Sequence, residues 1–171
     1  MKKFISSILF AIVFYTGSFS QVSQVSQVEF TKEKQSPIVH VTIGGKPFTD
    51  FFFPDTIAKP VLYPIKAPNG INVTRGYPVR PVPGDPTDHP HHLGLWMNYE
   101  NVNGLDFWNN SFAIPADKKG SYGTIKFEKF TEVKNGPVGR MVYKANWLDQ
   151  TGKKHLAEET GYEIERASCR E

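Results

Sequence analysis

The sequence predicts an all-β protein, built as an antiparallel β-sandwich. Three observations carry this. The 13 prolines and 14 glycines punctuate the 171 residues too often for long helices. Between these breaks the runs alternate apolar and polar side chains with the period of two that a half-buried strand shows. Turn-forming pairs such as Gly44-Gly45 and Asn135-Gly136 separate consecutive extended runs, as in hairpins. A hydrophobic content of 39% supplies a core for one domain.

Residues 1–20 read as a signal peptide. Lys2 and Lys3 form a short positive start, Phe4 to Tyr15 is mostly apolar, and Ser18-Phe19-Ser20 places small residues where a signal peptidase cuts, after Ser20. The apolar run falls short of the roughly 20 residues a membrane span needs. Residues 21–29 repeat Gln-Val-Ser and form a flexible leader, at most an edge strand. The expected location is periplasmic or secreted, with no membrane attachment after cleavage. Without Lys2 and Lys3 the formal charge of +3 falls to +1, so no field draws the mature chain to nucleic acid.

The β-sandwich domain is expected over residues 30–162. Ile38–Ile43 and Lys46–Phe53 flank Gly44-Gly45 as a hairpin, and Pro60–Ile65 is a short extended run ending at the turn Pro68-Asn69-Gly70. Val73 to His92, dense in proline, shows no periodicity; long loops of this kind are often functional. Leu93, Leu95, Met97 and Tyr99 alternate as though facing one way, Asn101–Gly104 turns the chain, and Leu105–Trp108 returns it. In Tyr122–Val133 the spacing of Phe127 and Phe130 requires a bulge if both face the core. Met141, Tyr143, Ala145 and Trp147 mark the buried face of the next strand, and another begins at Lys153. Residues 163–171, E-I-E-R-A-S-C-R-E, lack strand alternation. They resemble, with one substitution, the translation of a common sequencing-adapter read, so native sequence is expected to stop near Tyr162. The lone Cys169 lies in that stretch and has no partner for an intramolecular disulfide.

The densest chemistry lies between Thr74 and Trp108. Three of the five histidines, His89, His91 and His92, fall within four residues, beside Asp85 and Asp88. If the segment is extended, His89 and His91 share a face, and with Asp85 they supply part of a divalent metal site; a catalytic zinc asks for three protein ligands and an open position. No cofactor other than such a metal is expected. The alternative chemistry is acid–base work on a sugar, because an imidazole titrates near neutrality. Asp88 or Asp106 would orient the imidazole, Trp96 and Trp108 would stack on a sugar ring, and Arg75, Asn98 and Asn103 would bind its hydroxyls. The structural alternative is that the histidines satisfy loop carbonyls and that the tryptophans belong to the core.

Lys59-Pro60-Val61-Leu62-Tyr63-Pro64, Thr74-Arg75-Gly76-Tyr77-Pro78, Asp88 through Trp96, and Asn103 through Trp108 occur in an order that resembles the PmoA-named family of exported bacterial proteins, a domain of unknown function. The resemblance covers roughly Phe30 to Tyr162. It implies a supersandwich similar to galactose mutarotases, of which this chain would hold the N-terminal half, and a neighbourhood of sugar oxidoreductases and glycoside-processing proteins. It also implies that one of His89, His91 or His92 acts as an acid. The family name points to a membrane-bound oxygenase subunit, which a chain with no span beyond its signal peptide does not fit. The expected function is that of an exported carbohydrate-active protein acting on a carbohydrate or glycoside in a His/Asp/Trp-lined cleft, isomerase-, lyase- or hydrolase-like if it is an enzyme. A non-catalytic periplasmic binding module and a metal-dependent hydrolase or oxygenase are the alternatives.

Overall fold

A computed structural model describes residues 26–166. The signal peptide, residues 21–25 of the leader and Cys169 lie outside the described residues. Among the described residues nine strands follow one another, with a single 3-10 turn, Ala116–Ser121, between the sixth and the seventh.

Strands β1 (Val28–Lys32), β2 (Ile38–Ile43), β3 (Lys46–Phe52) and β4 (Val61–Leu62) form one antiparallel sheet in sequence order. The predicted hairpin joins β2 to β3 through Gly44 and Gly45, both at positive φ, which a two-residue turn matching the strand twist requires. Strand β1 starts inside the expected leader. Val28 is fully buried, pairs with Ile43 in β2, and exchanges two backbone hydrogen bonds with Gly136 at 2.8 and 3.1 Å. Val28 and Glu29 thus belong to the edge strand that the sequence left open for the leader, and long-range pairing with Gly136 holds Val28 in place.

A second antiparallel sheet holds β7 (Thr124–Lys134), β8 (Val138–Leu148) and β9 (Lys154–Glu165), again in sequence order. The expected bulge is present, with a register shift between Phe127 and Lys129, so Phe127 and Phe130 both reach the core. Strand β9 runs past the expected end at Tyr162. Glu163 and Ile164 pair with Arg140 and Gly139, and Ile164 is buried.

The two sheets face each other over one core. Val39, Val41 and Phe51 from the first meet Ile125, Met141, Tyr143, Ala145 and Trp147 from the second. Phe51 sits 4.8 Å from the Tyr143 ring and 5.2 Å from the Phe53 ring, both tilted, and meets Phe130 edge-on at 5.9 Å, one of the arrangements aromatic pairs prefer. This is the antiparallel sandwich that the alternation in β8 predicted.

Between β4 and β7 the chain leaves the sheets. It makes one two-stranded hairpin, β5 (Asn101–Val102) with β6 (Leu105–Asp106), closed by Asn103 and Gly104 at positive φ. The expected strand over Leu93–Tyr99 does not form. Its only ladder contact is an isolated bridge between Leu95 and Leu62. Leu93 is buried, but Leu95 is 52% exposed and Met97 and Tyr99 are also exposed, whereas Asn98 turns inward. With no neighbouring strand to impose a pleat, alternation in the sequence does not become alternation in space.

Candidate functional site

The long connection is fastened to the first sheet at a few points, and these set the site. Leu62 and Leu95 exchange backbone hydrogen bonds of 2.9 and 3.1 Å. Gly94 makes this possible: its φ is +113°, and a Cβ there would lie 2.6 Å from the Leu62 carbonyl oxygen. Upstream, the proline-rich loop is closed by the Gly76 N–H donating to Asp85 Oδ2 at 2.6 Å. Asp85 is thus committed to its own loop. Among the described residues no three His, Cys, Asp or Glu side chains group to hold a metal, so Asp85 does not complete a set with His89 and His91.

The three imidazoles do converge. His89 stacks on His92 with ring centres 5.1 Å apart, and His91 meets His92 edge-on at 4.4 Å. His92 also contacts both indoles, 5.5 Å from Trp96 and 6.3 Å from Trp108, which lie 5.6 Å from each other. Trp108 is 38% exposed, so one indole is open to solvent.

Arg75 fastens this cluster. Its guanidinium donates to Asp88 Oδ1 at 2.9 Å, to the Asp88 carbonyl at 2.8 Å and to the His89 carbonyl at 2.7 Å. These bonds accompany a φ of 50° at His89, a left-handed conformation uncommon for residues other than glycine, though histidine adopts it more often than most. The other oxygen of Asp88 lies 2.6 Å from His89 Nδ1. The His89 and Arg75 hydrogen bonds keep the Asp88 carboxyl below the usual carboxylate range. An ionised carboxylate only accepts, so Nδ1 donates the proton of this hydrogen bond.

Burial holds His91 down to about 4, helped by the neighbouring charges of His92 and Lys59. His92 is lowered for the same first reason, with His89 and Arg75 next. At neutral pH both rings are free bases. The acid role implied by the resemblance does not suit His91 or His92, because burial and nearby cations both disfavour the imidazolium.

Lys59, which the residue pattern did not single out, lies beneath the cluster. It is 1% exposed, donates from Nζ to the Trp108 carbonyl at 2.7 Å, and sits 5.0 Å from the centre of the Trp96 ring. Desolvation pushes its pKa down to about 8 against the pull of Asp106. A fully buried lysine is rare unless paired. Here one ammonium ties the backbone of one indole to the face of the other. Its only signal in the sequence was a place in the Lys59–Pro64 motif. The indole N–H of Trp96 is buried without a hydrogen-bond partner.

Other expected sugar-binding residues serve the backbone. Asn98 is buried, donating to the Phe107 carbonyl at 2.6 Å and accepting from the Tyr99 N–H at 2.8 Å. Asn103 is exposed at the tip of the β5–β6 turn. Asp106 accepts from the Asn109 N–H and its side-chain amide at 2.9 and 2.7 Å, fixing the bend after Trp108 rather than a histidine. The imidazoles, the indoles, Asp88, Arg75 and Lys59 therefore form one patch, and Asn98 and Asn103 stand outside it.

No helix among the described residues is long and apolar enough to cross a membrane. No curated protein and no solved structure matches the chain. Over residues 38–170, which include every strand after β1 and the whole patch, the sequence matches a family of unknown function, DUF6807, and the chain belongs to that family.

Proposed function

We propose that this protein is an exported, carbohydrate-active protein that binds or transforms a sugar on the patch of imidazoles and indoles. The observation that carries the reading is the convergence of His89, His91 and His92 on Trp96 and the open Trp108. An indole face is apolar and flat, matching the C–H face of a pyranose, while neutral imidazoles accept hydrogen bonds from hydroxyls. His89, oriented through Nδ1 by Asp88, is the group best placed to accept a proton, and His91 and His92 act as acceptors at neutral pH. Export rests on the signal-like residues 1–20, and the kinship to PmoA-named proteins and to the galactose-mutarotase sandwich rests on the motif order alone.

A glycan array probed with the purified protein tests this. Trp108→Ala and His91→Ala should each weaken the best ligand by at least about tenfold, as removal of a central aromatic or buried contact does. Binding unchanged by both substitutions would move the site elsewhere.

A further inference from the structure

The carboxylates around the patch are committed to its own framework. Asp88 accepts from Arg75 at 2.9 Å and meets His89 Nδ1 at 2.6 Å, while Asp106 takes the Asn109 N–H and side-chain amide at 2.9 and 2.7 Å. Lys59 has no such counter-ion. Its buried ammonium meets a carbonyl oxygen and an indole face, so its charge is offset only by Asp106, with which it forms no hydrogen bond. The Trp96 N–H, buried without an acceptor, adds one more donor that the protein leaves unanswered.

The result is a positive field at His91 and His92, two half-buried rings of the patch. At His91 the push of Lys59 exceeds the pull of Asp106, and at His92 Arg75 and Lys59 each exceed Asp88; a protonated His89 adds to both. A neutral pyranose brings only hydroxyl dipoles to this place. A carboxylate or sulfate on the same ring brings the missing negative charge, and beside a desolvated cation that charge is worth more than it is in water. The indoles would still take the C–H face of the ring.

We infer that the patch takes acidic sugars, glycosides bearing a carboxylate or a sulfate, with the anionic group beside His91 and His92 and within the field of Lys59. The inference rests on the sugar reading of the patch. The test titrates the protein, followed by NMR at low ionic strength, with methyl glycosides of glucose, galactose, glucuronic acid and galacturonic acid and with a sulfate ester of methyl glucoside. Acetate and inorganic sulfate serve as sugar-free probes. At pH 7 the charged glycosides should bind at least about fivefold more tightly than their neutral counterparts. Added salt should shrink that ratio. Lowering the pH toward 5 should raise it by at least about threefold, because a bound anion favours the imidazolium forms of His91 and His92, so that binding takes up protons. Lys59→Met should remove most of the ratio, and the salt and pH curves of the native protein decide the matter if that variant does not fold. A gain shared by the sulfate ester makes the group any sugar-borne anion and a gain confined to the uronides makes it a carboxylate; both support the inference. Equal affinity for charged and neutral glycosides would overturn it and leave the sugar reading standing. A preference for the charged glycosides that ignores salt and pH would overturn it too, since charge would not be its source. Binding of acetate or sulfate with no binding of any glycoside would make the patch a plain anion site and remove the sugar reading, and binding of no probe would remove both.

Discussion

Replacing Lys59 with methionine should leave stability at pH 7 nearly unchanged and abolish a gain in stability that the native protein shows as pH rises. Lys59 is 1% exposed, and its pKa falls from 10.5 to about 8 because burial outweighs the attraction of Asp106. The folded state releases this proton more readily than the unfolded chain. Below pH 8 the group therefore lowers stability, by about 3 kcal/mol for a shift of this size. The penalty fades between pH 8 and 10.5, where the unfolded chain holds the proton and the folded protein does not; about 2 kcal/mol of it is relieved between pH 7 and 9.5. Methionine keeps the unbranched stem and removes the charge, but it forfeits the 2.7 Å bond to the Trp108 carbonyl. An orphaned carbonyl costs about 1–3 kcal/mol, and the contact with the Trp96 face about 1 more. At pH 7 these losses nearly offset the gain, leaving the variant within about 1 kcal/mol of the native protein. Urea unfolding followed by tryptophan fluorescence at several pH values from 7 to 9.5 measures both curves, and staying below pH 10 avoids the tyrosines. The native protein should gain about 2 kcal/mol relative to Lys59→Met over that range. Parallel curves would show that the ammonium is not desolvated and would refute the reasoning.

Three further outcomes are expected. NMR of the imidazole nitrogens should show His91 neutral down to about pH 4; because the unfolded chain takes up that proton first, this group's contribution to stability is lost as pH falls from 6.5 toward 4, and titration near 6.5 would contradict its burial. Gly94→Ala should cost at least about 2 kcal/mol in urea unfolding, and clearly more than Gly84→Ala, since both have positive φ but only Gly94 has a carbonyl in the way. Arg75→Met should release the Asp88–His89 bend, raising hydrogen exchange of the His92 amide, which donates to the His89 carbonyl at 3.0 Å, by at least about tenfold; unchanged exchange would mean that the bend holds itself.

The legible parts of the fold were those in which local rules and tertiary packing agree. Gly44-Gly45 needed only a pair of residues tolerant of positive φ, and the Phe127 bulge followed from spacing, since two aromatics three apart in a strand cannot both face a core otherwise. Where the two disagree, inspection of the sequence went astray. Leu95, Met97 and Tyr99 alternate without a partner strand and point outward, and Asn98, with the composition of a ligand-binding residue, is consumed by two backbone groups. Lys59 was passed over because lysine is exposed by default, and nothing near it in the chain reveals the carbonyl and the indole that receive its ammonium.

The sequence by itself determined the class of fold and where three imidazoles would crowd together, the candidate site: turn residues and period-two alternation are local properties, and three histidines within four residues have few places to go. Only the tertiary structure decided which groups share that place and in what protonation state. Arg75 reaches back to His89 across a proline-rich loop, Trp108 arrives from beyond a separate hairpin, and Lys59 comes up from beside β4. Burial of His91 and Lys59 follows from those meetings rather than from any residue's neighbours in the chain, because desolvation is set by everything that packs around a group in space.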